Sequence, residues 1–210
     1  MATITNYSNL KTTIADFLNR DDLTSVIPTF IQLAEAQINR DLRHWKMEKR
    51  ASGQQSSGDS HMQIPSDWLE TIRINISDGG TKPLDLISRK AMEDKRAGNE
   101  NMAGTPRYYT HADSQFHLYP TPNATTNIEL LYYAKTDALS DSTTTNWLLG
   151  DAPDVYLYGS LLHSAPYLAE DERVGVWAQM YSAAVAQLNM KSEQSRYSGS
   201  GITVKVRGMG

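Results

Sequence analysis

Three histidines come nearest to a reactive cluster in this chain. His111 and His117 flank the triplet Ala112-Asp113-Ser114, and His61 lies well upstream. Opposed histidines on paired strands can hold a zinc ion. However, no carboxylate stands at ligand spacing beside them. Cysteine is absent, which removes disulfides, thiolate catalysis and cysteine-bound zinc. His44 and His163 have no partner at i+3 or i+4 on their helices and read as helix-surface or packing residues. Carboxylates gather at Asp151/Asp154 and at Glu170/Asp171/Glu172, where helices should begin. There they cap free N–H groups and complement the dipole. A general acid–base pair would need an apolar cleft between them. The chain carries no P-loop, no GxGxxG turn and no GxSxG elbow, and Gly79-Gly80 reads as a turn. No catalytic residue, metal or cofactor is assigned, and the expectation is a protein that is not an enzyme.

Two other residue classes remain. Tyrosine is abundant, including Tyr108, Tyr109, Tyr119, Tyr132, Tyr133 and Tyr167. Its apolar ring and polar tip suit subunit contacts, for which Tyr156, Tyr158, Trp177 and Tyr181 are the candidates. Stacking on bases is the competing role. It would require cations interleaved on the same strand, and residues 127–135 offer only Lys135. Arg40, Arg43, Lys46, Lys49 and Arg50 outnumber Asp41 and Glu48 at the end of the second helix. Cations there complement the helix dipole. Alternatively they face a polyanion, and Arg40, Arg43 and Lys46 are the candidates to line a DNA channel. The net charge of −4 opposes a dedicated nucleic-acid binder. A single-stranded nucleic-acid binding module is nevertheless the alternative function.

The elements that position these residues follow from periodicity. Leu10, Ile14, Phe17 and Leu18 predict a first helix capped near residues 5–6. Phe30, Ile31, Ala34, Ile38, Leu42 and Trp45 predict a second, with Pro28 in its first turn. Residues 51–60 are small and polar and predict a hairpin loop or flexible link. Residues 61–65 read as extended before Pro65, and Ser66-Asp67 as the start of a turn. Ile72, Ile74 and Ile76 alternate with polar residues as a half-buried strand, with residues 82–87 as its returning partner. Ser88 caps a helical turn through Arg96. Residues 107–111 and 115–119 form a hairpin with a three-residue connection, and 127–135 a longer strand with apolar residues on both faces. Helix returns near Asn146. Residues 155–167 are apolar nearly all round, and the last helix starts at Glu170 with Val174, Trp177, Met180, Tyr181, Ala184, Val185 and Leu188 as its apolar set.

From Ser192 the composition turns to Ser and Gly, with Lys191, Arg196, Lys205 and Arg207 against Glu193. Ile202, Val204 and Val206 alternate with Thr203, Lys205 and Arg207. An isolated strand this short is unstable in water and needs a partner edge, as in strand addition. The expected class is α+β: a helical bundle from residues 1–45 and 141–191, a β-rich insertion at 46–140, and an extended basic tail at 192–210. Hydrophobic residues at 40% of 210 suffice for a core of that size. No apolar run approaches the ~20 residues of a membrane span. The start lacks a basic region followed by an apolar run, so no signal peptide is read, and a soluble product of the cytoplasm is expected.

Several blocks resemble a known family. Residues 31–42 (IQLAEAQINRDL), 64–70 (IPSDWLE), and PRYYT, LYPTP, LLYYAK, ALSD, TNWLL, APDVYLYGSLL and APYL within 104–168 follow one another in its order. The chain is similar in this to the phage adaptor proteins of the virion head–tail connector. The resemblance implies a non-enzymatic, homo-oligomeric ring of twelve copies beneath the portal protein. That ring would continue the channel for genomic DNA and seat the next tail or nozzle protein, away from any membrane. It also implies that the C-terminal extension reaches the portal, which makes Arg196, Tyr197, Ile202, Val204, Lys205, Val206 and Arg207 the portal-binding candidates.

Overall fold

The computed structural model describes residues 3–77, 79–99, 102–168 and 173–197. In chain order these form α1 (Tyr7–Leu18), α2 (Ile27–Asp41), β1 (Glu48–Gln55), β2 (His61–Gln63), β3 (Trp68–Ser77), β4 (Thr81–Pro83), β5 (Asp85–Leu86) and α3 (Arg89–Ala97). Next come β6 (Ala103–Gly104), β7 (Tyr108–Ala112), β8 (Gln115–Tyr119), β9 (Thr121–Pro122), β10 (Thr126–Ala134), α4 (Trp147–Asp151), α5 (Pro153–Leu168) and α6 (Val174–Tyr197). The mixture is α+β. The chain divides into a helical unit, Met1–Lys46 with Thr136–Gly210, and a β-rich unit, Met47–Lys135.

The helical unit is built on local stop and start signals. The Asn6 side chain accepts the Asn9 N–H at 2.9 Å and opens α1. Asn19 ends it in the left-handed region at φ 52°, a conformation asparagine tolerates. Pro28 stands in the first turn of α2, where its missing N–H costs nothing. Asn146 caps α4 through the Leu149 N–H at 2.9 Å. Around α5 pack α1, α2, α4 and α6, and Val155, Tyr156, Ser160, Leu161 and Ser164 on it have no exposed surface.

In the β-rich unit one antiparallel sheet has the order β1-β10-β3-β4, and a second has the order β2-β8-β7-β5 with β5 parallel to β7. A small parallel pair joins β6 to β9. Ile74, Ile76, Ile128, Leu130 and Tyr132 of the first sheet share one core with Tyr109, Phe116 and Leu118 of the second. This accounts for apolar residues at every other position of these strands.

Several local expectations are corrected. Residues 51–55 are strand rather than loop, because β1 pairs with β10 along its full length. The Gln55 side chain then closes the following turn by donating to the carbonyls of Asp59 and His61 at 2.8 and 3.0 Å. The return strand after Gly80 is shorter than expected. Only Thr81–Pro83 pairs with β3, whereas Asp85 and Leu86 join the other sheet beside Tyr108 and Tyr109. Ser66 and Asp67 do form a turn, closed by the Trp68 N–H on the Pro65 carbonyl at 3.0 Å, but Trp68 and Leu69 already belong to β3. Ile72 is 39% exposed. Its neighbours Thr71 and Arg73 pair with the consecutive Tyr132 and Leu131, so Ile72 is the extra residue of a bulge and loses its alternation. The β7–β8 connection holds two residues, since Ala112 pairs with Gln115. Asp113 and Ser114 both take positive φ, 51° and 60°, the pattern of a type I′ turn.

Candidate functional site

The strand register separates the histidines. On β7 and β8, His111 pairs with Phe116 while His117 pairs with Thr110, so the two imidazoles emerge on opposite faces of the sheet. His111 packs against Trp68 and Phe116, with ring centroids 5.4 and 5.0 Å away. His117 meets His61 of β2 edge-on at 4.5 Å, and Asp59 lies 3.7 Å from the His61 ring. Among the described residues, no group of three or more His, Cys, Asp or Glu side chains converges on a point. His44 lies buried beyond α2, stacked on Trp147 at 5.1 Å.

The clustered carboxylates take different parts. Asp154 lies in the first turn of α5. Asp151, expected as a cap, instead ends α4 and accepts from Lys46 Nζ at 2.5 Å. Residues 170–172 lie outside the described residues. One carboxylate carries no motif in the sequence: Glu35, half-buried on α2. It accepts the Leu139 N–H at 2.7 Å and the Tyr156 hydroxyl at 3.4 Å. Burial pushes its carboxyl above the usual range. Asn146 donates to the Tyr156 oxygen at 2.7 Å and to the Asp137 carbonyl at 2.7 Å. This network ties residues 137–146 to α2 and α5. Its only sequence signal is a single acid on the inner side of the IQLAEAQ segment.

Three of the four subunit-interface candidates are interior. Tyr156, Trp177 and Tyr181 are 0, 4 and 3% exposed, covered by their own helical unit, so their area is already used in folding. Tyr181 donates its hydroxyl to Asp41 at 3.1 Å. Tyr158 is half-buried. The basic candidates also divide. Arg43 folds back to donate to the carbonyls of Asn39 and Leu42 at 2.9 and 2.7 Å, satisfying the end of α2. Lys46 is paired with Asp151, and Arg40 is exposed.

The tail begins later than composition suggests. α6 continues to Tyr197, so residues 192–197 are helical, and Arg196 pairs with Glu193 at 3.4 Å. Ser192 is fully buried and accepts the Trp45 N–H at 2.9 Å. Asn189 accepts the Arg43 N–H at 3.0 Å. Both bonds clamp the last turns of α6 to the end of α2. Ile202, Val204, Lys205, Val206 and Arg207 lie outside the described residues.

What these residues offer is surface for contact. A cleft of about 170 Å³ lies beside the edge strand β1, between Ala51, Gly53, Met62, Pro65, Ile128 and Leu130. On the helical unit Leu33, Tyr167, Val176, Met180 and Met190 are about half exposed, an arrangement that can bury against protein but performs no chemistry by itself. Over residues 5–204 the chain matches the family model described as SU10 adaptor protein. No curated protein matches it.

Proposed function

Because the chain belongs to the SU10 adaptor protein family, and so is a structural component of the phage virion that associates with portal or tail parts, we propose that it forms the ring beneath the portal. The ring has twelve copies, continues the DNA channel and seats the next tail component. The observation that carries this reading is the extent of the match, residues 5–204 of 210. A chain that matches over nearly all its length shares the family's architecture throughout and not just one motif.

Docking to the portal is assigned to the chain beyond α6, where Ile202, Val204 and Val206 alternate with Lys205 and Arg207. A segment of that pattern gains stability by adding to an existing sheet edge, and its ordering cost is offset by the contacts formed there. Of the basic channel candidates, Arg40 remains exposed for DNA, since Arg43 and Lys46 are engaged within the chain.

The test is co-assembly of the purified chain with portal rings, imaged by electron microscopy, beside a truncation after Tyr197. The full chain should add a ring of density to the portal. The truncation should remain folded, because it keeps the Ser192 and Asn189 clamps, and should fail to dock. Docking by the truncation would remove the tail's role, and no docking by the full chain would overturn the function. Salt-dependent binding of single-stranded DNA in place of docking would point to the nucleic-acid module.

A further inference from the structure

The register that sends His111 away from His117 brings His61 to it. On the antiparallel pair β2 and β8, His61 stands directly opposite His117, so both side chains leave the sheet on one face. Opposed side chains have Cβ atoms about 4.5–5.5 Å apart. Here the ring centroids are 4.5 Å apart and meet edge to face at 78°. His111 lies on the other face against Trp68 and Phe116 and takes no part.

Packing alone does not account for the pair. His117 Nε2 is buried without a hydrogen-bond partner, an arrangement that costs stability unless something occupies the lone pair. At His61 the other ring nitrogen, Nδ1, faces polar atoms, Ser60 Oγ at 3.5 Å and Asp59 Oδ1 at 3.7 Å. The same Asp59 oxygen is fixed in place by accepting the His61 backbone N–H at 2.9 Å. A carboxylate beside one ring nitrogen orients an imidazole to bind an ion through the other. That leaves His61 Nε2 as its ligating atom. Formal charges near the pair balance. Arg89 and Arg96 of α3 act on His117, and Asp113 and Asp59 match them.

We propose that His61 and His117 form a two-histidine site for a divalent transition-metal ion, with water completing its coordination. Metal–nitrogen bonds of about 2.0–2.1 Å place two ligating nitrogens roughly 3 Å apart. Rotation of the His61 side chain, which is 49% exposed, can bring the rings to that separation. The donor set selects the ion. Two imidazoles suit copper, nickel and zinc, whereas magnesium and calcium take oxygen ligands. Cu2+ should bind tightest of these. β2 is only three residues long and has β8 as its single strand neighbour. An ion shared by the two strands would therefore hold the segment that lays Met62 against the core. The site is independent of ring assembly.

The test uses full-length protein without a histidine tag, stripped by chelator and titrated calorimetrically with CuCl2, NiCl2, ZnCl2 and MgCl2. Cu2+ should bind saturably at one ion per chain, Ni2+ and Zn2+ more weakly, and Mg2+ not at all. His61→Gln, an exposed change, should weaken Cu2+ binding by more than about tenfold, since even losing an outer partner of a ligand costs that much. His111→Gln should leave it unchanged. In NMR spectra, Cu2+ should broaden the imidazole signals of His61 and His117 before those of His44, His111 and His163. Unchanged affinity in His61→Gln would overturn the proposal, as would broadening centred on another histidine or the absence of saturable binding. His117→Gln should reproduce the loss. Circular dichroism checks that each variant is folded, and if His117→Gln is not, His61→Gln decides.

Discussion

Gly159 lies in the middle of α5, where glycine is less favourable than alanine by roughly 0.5–1 kcal/mol. Its place is explained by what surrounds it. A Cβ at this position would stand 3.2 Å from Ala34 Cβ and 3.3 Å from the Tyr181 ring, so the glycine lets α2, α5 and α6 come together. Gly159→Val should overpack this point and cost about 1–3 kcal/mol, read as a lower denaturant midpoint; an unchanged midpoint would show that the helices can separate freely. In the sequence, Gly159 is one small residue within an apolar run. Likewise His111 and His117 are close in the chain, but strand register sends them to opposite faces. A one-residue difference in position along a strand reverses direction, and composition carries no record of it.

Among the elements, the β7–β8 hairpin holds its turn against local preference. Asp113 tolerates the left-handed region, but Ser114 at φ 60° gains nothing there and bears a cost of about 1–2 kcal/mol that glycine avoids. Ser114→Gly should therefore raise stability by roughly 1 kcal/mol, measured by denaturant unfolding. A loss would mean that the Ser114 side chain contributes something the turn geometry does not show. The two-residue connection is not legible in sequence because Asp-Ser lacks the Asn-Gly signature of such turns. The strand β1 is hidden for a related reason: Ala, Ser, Gly and Gln have low strand propensity, and pairing with β10 overrides it. α6 is legible as a helix, but its apolar residues read as a single set. Only packing divides them, Trp177 and Tyr181 inward and Met180 outward.

For the whole molecule, proton binding has one dominant sign near neutrality. His44, His111, His117 and His163 are each held below the usual imidazole value, first by burial. Lys46 adds to this at His44, His61 at His117 and Arg40 at His163. Below about pH 6.5 the unfolded chain takes up protons that the folded chain resists, so folding stability falls with pH from that point. Above it these groups are neutral in both states and contribute no slope. The urea midpoint should thus be flat from about pH 8 to 7 and decline from about 6.5 towards 5; a midpoint that rises on acidification would contradict it. Glu35, whose carboxyl is raised by burial, acts in the opposite direction, and only nearer the carboxylate range.

Residue type and spacings of a few positions are enough to specify the α+β mixture, a cap near residues 5–6 and one at Ser88, the helix start near Asn146, the apolar faces of α1 and α5, and the resemblance to phage adaptors. One chain records such local features directly. Trp45, expected on the apolar stripe of α2, instead lies beyond that helix and is 46% exposed. Packing was needed to establish that Tyr156, Trp177 and Tyr181 are interior, that Arg43 and Lys46 are engaged within the chain, that α6 is clamped through Ser192, and that Met180 and Met190 face outward. Most of these turn on a partner distant in sequence: Glu35 for Tyr156, Asp41 for Tyr181, Asp151 for Lys46, Trp45 for Ser192. Whether an aromatic or a cation is available to another molecule depends on what its own chain has already placed against it.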